Sequence, residues 1–176
     1  MAEPVQTIRT VFDAETIGRR VRELGEELGA YYTSGDLLLL GALKGGFIFL
    51  GDLVRQIPRE HQIDFLVAAS YGRSRTSSGQ VQILYDPATP LTGRHVVLVE
   101  DIIDSGTTLN SLVGLLAARD PASLEICALL HKRNAQLVLE PRFVGFDAPD
   151  EFLVGYGLDY AEQFRHLPFV GSLKME

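Results

Sequence analysis

The chain has 176 residues, 46% of them hydrophobic and 22% charged, enough to bury a substantial core within one domain. Its net charge is −7, and no basic run exceeds Lys132-Arg133 or Arg19-Arg20. That disfavours a surface that tracks nucleic-acid phosphates, but not a small anionic ligand, because a few local donors outweigh a distant charge that salt screens.

Asp13 opens a helix whose apolar face carries Ile17, Val21, Leu24 and Leu28. A turn over residues 31–36 leads into the buried strand Leu37-Leu38-Leu39-Leu40. Lys44-Gly45-Gly46 follows, and apolar residues from Phe47 to Val54 continue as a helix. A strand ending in Lys-Gly-Gly before a helix can hold an anion with backbone N–H groups and one cation. The same residues also make an ordinary glycine turn with a solvated lysine. Residues 63–69 form another strand. The polar stretch 70–80, rich in Ser, Gly and Arg, is a mobile loop or a hairpin turn into a strand at 81–85.

The richest stretch runs from Val96 to Leu109. Val96-Val97-Leu98-Val99 reads as a strand buried on both faces. Glu100 and Asp101 follow, and strand alternation sends them to opposite sides. Ile102, Ile103 and Asp104 lead to the turn Ser105-Gly106, then Thr107 and Thr108. Leu109, Leu112, Val113, Leu115 and Leu116 fall at helical spacing. Free N–H groups at that helix start, three hydroxyls and a glycine form an anion cradle suited to phosphate. Asp104 or Ser105 as a plain helix cap explains one acid. It does not explain three acids around a phosphate cradle, which must serve ribose hydroxyls, a metal or a proton.

Arg119-Asp120-Pro121 stops the helix, and a strand over 124–130 ends at His131-Lys132-Arg133. Cys127 lies inside that apolar strand as an inert core thiol, and a single cysteine allows no disulfide within the chain. A further strand covers 142–146. The tail mixes aromatics, glycines and acids: Phe152, Leu153, Tyr156, Asp159, Tyr160, then Arg165 and His166. It reads either as a packed flap or as a surface on which a planar base stacks. His61 and His95 lack metal-ligand spacing, His131 has no assigned role, and His166 either packs, the favoured reading, or makes a weak phosphate contact. Strands alternate with helices up to Leu130, so the fold class is α/β with a parallel sheet, and the two chain ends form a small hood. Residues 1–10 lack a signal-peptide core, and the longest apolar run, 37–43, is too short to span a bilayer. A cytoplasmic chain with no membrane contact is expected.

The run Val99-Glu100-Asp101-Ile102-Ile103-Asp104-Ser105-Gly106 resembles the phosphoribosyl-diphosphate (PRPP) motif of type I phosphoribosyltransferases, in the form of their hypoxanthine-guanine branch. The Leu43-Lys44-Gly45-Gly46 loop, Ser70-Tyr71, Lys132 and the tail extend that resemblance over nearly the whole chain. It implies a twisted, mainly parallel sheet flanked by helices. Residues 1–176 are then one domain, with a core at about 30–147 and a hood from the N-terminal segment and about 148–176. It implies purine salvage: Mg2+-dependent transfer of 5-phosphoribosyl from PRPP to hypoxanthine and guanine, giving IMP and GMP plus pyrophosphate. Asp104 becomes the general base at purine N7. Ser105, Gly106, Thr107 and Thr108 cradle the 5′-phosphate with Asp104. Glu100 and Asp101 serve the ribose hydroxyls and the metal shell, and Asp159 contacts the metal and the base site. Lys44, Gly45 and Arg165 hold pyrophosphate, and the Leu43-Lys44 peptide is cis. Lys132 donates to the purine 6-oxo group, Phe152 stacks on the base, and Leu153 reads its 2-position through backbone groups. Ser70 and Tyr71 begin a lid. Family members assemble as homodimers or homotetramers. Two other readings stay open on the same fold: a xanthine-preferring enzyme, and a nucleotide-sensing regulator that binds RNA.

Overall fold

The computed structural model describes residues 6–70 and 81–175. In chain order these form β1 (Gln6–Phe12), α1 (Ala14–Tyr31), β2 (Leu37–Leu43), α2 (Phe47–Leu53) with a 3-10 turn at Val54–Gln56, and β3 (Gln62–Ser70). Then come β4 (Val81–Tyr85), β5 (His95–Ile103), α3 (Thr107–Ala117), β6 (Ser123–His131), β7 (Phe143–Asp147), β8 (Leu153–Val154) and β9 (Val170–Met175). None of the helices among the described residues is long and apolar enough to cross a membrane.

The main sheet has the order β4-β3-β2-β5-β6-β7, parallel except for β4, which runs antiparallel to β3. The four-leucine run of β2 explains why it is central. Leu37 and Leu39 pack on one face with α1 and α2, and Leu38 and Leu40 pack on the other with α3. Val97 and Val99 of β5 join the first face, Val96 and Leu98 the second. Both faces of the central strands are therefore dry, which their unbroken apolar runs require. α1 starts where Asp13 accepts from the Thr16 N–H at 2.8 Å, and it buries Ile17, Val21, Leu24 and Leu28. Cys127 is buried in the same layer, and desolvation raises its thiol pKa far beyond the physiological range, so it is chemically quiet.

A second sheet, ordered β1-β9-β8, is antiparallel and joins the two ends of the chain. It forms the hood. The carboxyl ends of β2, β5, β6 and β7 all lie at one edge of the main sheet, with Ile103 in register with His131 and His131 with Asp147. β2 leads outward to β3 and β5 leads the opposite way to β6, so the strand order reverses between β2 and β5. A crevice at the carboxyl ends of such a reversal is where α/β sheets bind ligands.

Candidate active site

Two strand ends meet at the reversal. β2 delivers the Lys44-Gly45-Gly46 turn, and β5 delivers Glu100 through Ser105. The peptide between Leu43 and Lys44 is cis. The Gly46 N–H donates to Ala42 O at 3.1 Å and closes the turn. Asp101 faces this turn: a Cβ on Gly45 would overlap its Oδ2, and its Oδ1 accepts from the Ile102 N–H at 2.8 Å. Glu100, one residue earlier, points to the other side and lines a cavity of about 150 Å³ with Ile103, Asp104, Ser105, Gly106 and Thr108. The alternation expected of a strand thus divides the two acids between two sides of one crevice. Burial pushes the Glu100 carboxyl up to about 8, with the Asp101 charge adding to the effect. Burial also raises Asp101, against the hydrogen bond from Ile102 and the attraction of Arg165.

The cradle itself starts with Gly106, whose φ of 86° lies in the left-handed region. Gly106 is the residue that caps α3, in place of Asp104 or Ser105 as a plain cap, and no side-chain hydrogen bond accompanies it. Asp104, Ser105, Thr107 and Thr108 are all exposed around this turn, so the helix start faces the crevice with hydroxyls and N–H groups. A neighbouring groove of about 570 Å³ runs past Asp104, Ser105 and Thr107 to Asn110 and Gln136. Asn110 ties that groove's far wall. Its side chain donates to Gln136 O at 2.7 Å and accepts from the Val138 N–H at 2.9 Å. The wall continues from β6, and Lys132 N–H donates to Ile103 O at 2.9 Å.

That register brings Lys132 to Asp104. The Nζ lies 3.0 Å from Asp104 Oδ1 and 3.8 Å from Asp150 Oδ1. The lysine side chain is only 13% exposed, whereas that of Asp104 is 69% exposed. A donor held in a wall and an acceptor standing in the crevice form one reading edge. Two residues beyond Asp150, Phe152 leaves 54% of its surface open and meets Tyr160 edge-on at 5.7 Å. Leu153 is buried, but its backbone is placed differently. Leu173 N–H donates to Phe152 O, so the neighbouring pair Leu153–Ser172 is of the non-hydrogen-bonded kind. The N–H and C=O of Leu153 therefore turn away from β9, toward the open edge of the hood.

The tail returns to the Lys44 turn. Gly157, at φ 103°, packs so closely that a Cβ there would overlap Gly45 O. Arg165 donates to Gly157 O at 2.7 Å and pairs with Asp159 at 2.7 Å. Its Nε is buried without a hydrogen-bond partner. Lys44 Nζ pairs with Glu162 Oε2 at 3.0 Å. Lys44 holds the Glu162 carboxyl below its usual range. Asp101 and Gly157 both meet Gly45, and Arg165 holds Gly157 O, so the tail and the Lys44 turn form one corner.

Residues 8–161 match the family model "Phosphoribosyl transferase domain". The chain belongs to the phosphoribosyl transferase family. It is 42% identical over 170 residues to the hypoxanthine phosphoribosyltransferase of Escherichia coli (strain K12), covering 95% of this chain and 96% of that one. It is 47% identical over 167 residues to the hypoxanthine-guanine phosphoribosyltransferase of Mycobacterium tuberculosis, covering 91% of this chain and 83% of that one. A crystal structure of a hypoxanthine phosphoribosyltransferase from Staphylococcus aureus superposes with a TM-score of 0.91 at 41% identity, over 94% of this chain and 91% of that one.

In this phosphoribosyltransferase the structure brings Lys44, Gly45, Asp101, Asp159 and Arg165 into one corner and Asp104 beside Lys132, with Glu100 and Ser105 to Thr108 around the adjoining cavity, while Phe152 and Leu153 stand on the hood. Ser70 ends β3, away from any described contact with the crevice, and Tyr71 lies outside the described residues, as does the loop to residue 80. His166, expected to pack, is exposed. His131 is 3% exposed, with its Nδ1 unpartnered and its pKa lowered by burial, so it belongs to the wall behind Lys132. Sequence reading missed Asn110, Asp150 and Glu162. Only Glu162 left a trace, three residues from both Asp159 and Arg165.

Proposed function

We propose that this phosphoribosyltransferase moves the 5-phosphoribosyl group of PRPP to hypoxanthine and guanine, releasing pyrophosphate and forming IMP and GMP in purine salvage. The observation that carries the reading is the Asp104–Lys132 pair at 3.0 Å, beside the cradle. A 6-oxopurine presents N7 and O6 along one edge. Lys132 donates to O6, and Asp104 accepts the N7 proton as N9 forms its bond to the anomeric carbon and the bond to pyrophosphate breaks. An exposed carboxylate suits a group that must take a proton in the reaction. Adenine has an amino donor at position 6, which would face the lysine's own donors with no acceptor between them. Phe152 offers its ring to the base, and the outward peptide groups of Leu153 suit the 2-position of guanine.

Segment 104–108 takes the 5′-phosphate, and Lys44, the Gly45 turn and Arg165 take pyrophosphate. The donors also fit Mg2+. Glu100 and Asp101 are two oxygen ligands whose charged forms burial disfavours, so a cation between them and the substrate relieves both. Asp159 is the third candidate. Among the described residues no group of three or more His, Cys, Asp or Glu side chains comes together as a cage. Mg2+ is commonly held by one or two carboxylates plus substrate oxygens and water. When bound, the ion neutralises charge on the departing pyrophosphate. The same reading takes residues 1–176 as one domain with its core at about 30–147, working in the cytoplasm as a homodimer or homotetramer. It also keeps Ser70 and Tyr71 as the start of a lid that shields the reacting sugar from water.

The test is one assay plate: protein, Mg2+ and PRPP with hypoxanthine, guanine, xanthine, adenine or uracil, and nucleotide products counted. Product from hypoxanthine and guanine, abolished by chelating Mg2+, supports the reading. Product from xanthine alone keeps the reaction and overturns the base assignment. No product with any base, together with salt-sensitive RNA retention on a filter, favours the regulator.

A further inference from the structure

Residues 159–165 form a tight loop that carries Glu162 back to Lys44. Tyr160 and Gln163 exchange backbone hydrogen bonds at 3.2 and 3.0 Å, and the Glu162 N–H donates to Asp159 Oδ2 at 2.9 Å. Ala161, Glu162 and Phe164 all have positive φ, at 50°, 65° and 74°. Residues with a Cβ adopt that region rarely, and runs of them mark a segment whose shape is set by what it must hold. Here one oxygen is held between two cations. Glu162 Oε2 lies 3.0 Å from Lys44 Nζ and 3.5 Å from Arg165 Nη2. Asp159 meets the same guanidinium nitrogen at 2.7 Å.

Packing does not demand this placement, since the side chains of Lys44 and Glu162 are 67% and 65% exposed. Both could point into water. Instead a single carboxylate oxygen bridges the two cations assigned above to pyrophosphate. We propose that Glu162 is an internal stand-in for the leaving group. It gathers Lys44 and Arg165 while no anion is present, gives way when the diphosphate of PRPP arrives, and closes the pair again as pyrophosphate departs. The inference rests on the assignment of Lys44 and Arg165 to pyrophosphate. Glu162 is thus a positioning residue that competes with the ligand it prepares for. An exposed ion pair is weak enough to yield to a multiply charged anion. Its return assists release, a step that often limits turnover.

The experiment is titration calorimetry of inorganic pyrophosphate, with Mg2+ present, into the full chain and its variants Glu162→Gln, Lys44→Ala and the double variant. Glu162→Gln sits at an exposed position and removes the competitor without removing a donor to the ligand. It is expected to tighten pyrophosphate binding about two- to fivefold, the scale of an exposed ion pair. Pyrophosphate should also become a correspondingly stronger product inhibitor. Lys44→Ala is expected to weaken binding about tenfold, the scale of a charge-assisted contact. In that background Glu162→Gln should regain less than it gains in the wild type. Unchanged or weaker binding in Glu162→Gln, with Lys44→Ala weakened, overturns the stand-in and leaves the pyrophosphate assignment intact. Wild-type binding in Lys44→Ala overturns the assignment, and the stand-in falls with it.

Discussion

The cradle proposed for phosphate draws its groups from residues 100–108, a single strand end, turn and helix start, whereas the corner around Lys44 joins an ion pair separated by 118 positions in sequence. The cradle's donors are backbone N–H groups and short hydroxyls aimed by a left-handed glycine, and they have few places to turn. The corner's donors are long cationic side chains, and they are paired with Asp159 and Glu162. A cradle of the first kind is preorganised, and its ligand displaces mainly water. A corner of the second kind works by exchange, so binding there is a difference between two sets of ion pairs. Screening acts on both sets, but the multiply charged ligand loses more, so the corner is the salt-sensitive end.

The largest effect should come from breaking the corner's backbone. In Gly45→Ala the new Cβ overlaps Asp101 Oδ2, and the same loop carries the carbonyl on which Gly157 packs. Displacement of these groups by about 1 Å is expected to lower kcat/KM about a hundredfold or more, measured against a thermal melt that shows the chain still folds. Gly106→Ala breaks the cradle instead. Its Cβ would lie 2.6 Å from Gln136 O at a φ of 86°, so the turn must shift. We expect KM for PRPP to rise about tenfold, with purine binding in the absence of PRPP less affected. A reversed pattern, with Gly45→Ala mild and Gly106→Ala severe, would rank the two ends the other way.

The smallest effect concerns the acids between the two ends. The Glu100 carboxyl is raised to about 8 in the folded chain from an ordinary 4.5. Between those values the folded state binds more protons than the unfolded state, so stability falls as pH rises through that window. Thermal melts of the ligand-free protein should show a higher Tm at pH 6 than at pH 8. Glu100→Gln should flatten that slope, by roughly 2–4 °C for each kcal/mol involved. A melt that is independent of pH in both proteins would remove the burial of Glu100 from the account.

How far the sequence foretells each end follows from the same contrast. The leucines of β2 and the valines of β5 face two dry layers, so apolar run and turn residue alone placed the strands and α3. The cradle is a local motif, and its chemistry was readable from residue types in order. The helix cap was less so: Asp104 and Ser105 were the candidates, and backbone geometry gives the position to Gly106. β1 was invisible as a strand because its partner β9 lies at the other end of the chain, and β8 is two residues long. Glu162 could not be tied to Lys44 without knowing that Gly157 folds the tail onto Gly45. Asn110 looked like one polar residue on a helix surface until its two hydrogen bonds to the loop after Lys132 were seen.

The central claim is that a purine's N7 and O6 edge is read by Asp104 and Lys132, with Asp104 taking the proton. Asp104→Asn keeps the size and a hydrogen-bonding oxygen but loses the basic group. The decisive measurement is turnover of hypoxanthine and guanine by this variant, alongside calorimetric binding of PRPP. The account predicts nearly intact PRPP binding and turnover lowered about a hundredfold or more. Turnover equal to that of the wild type would contradict it.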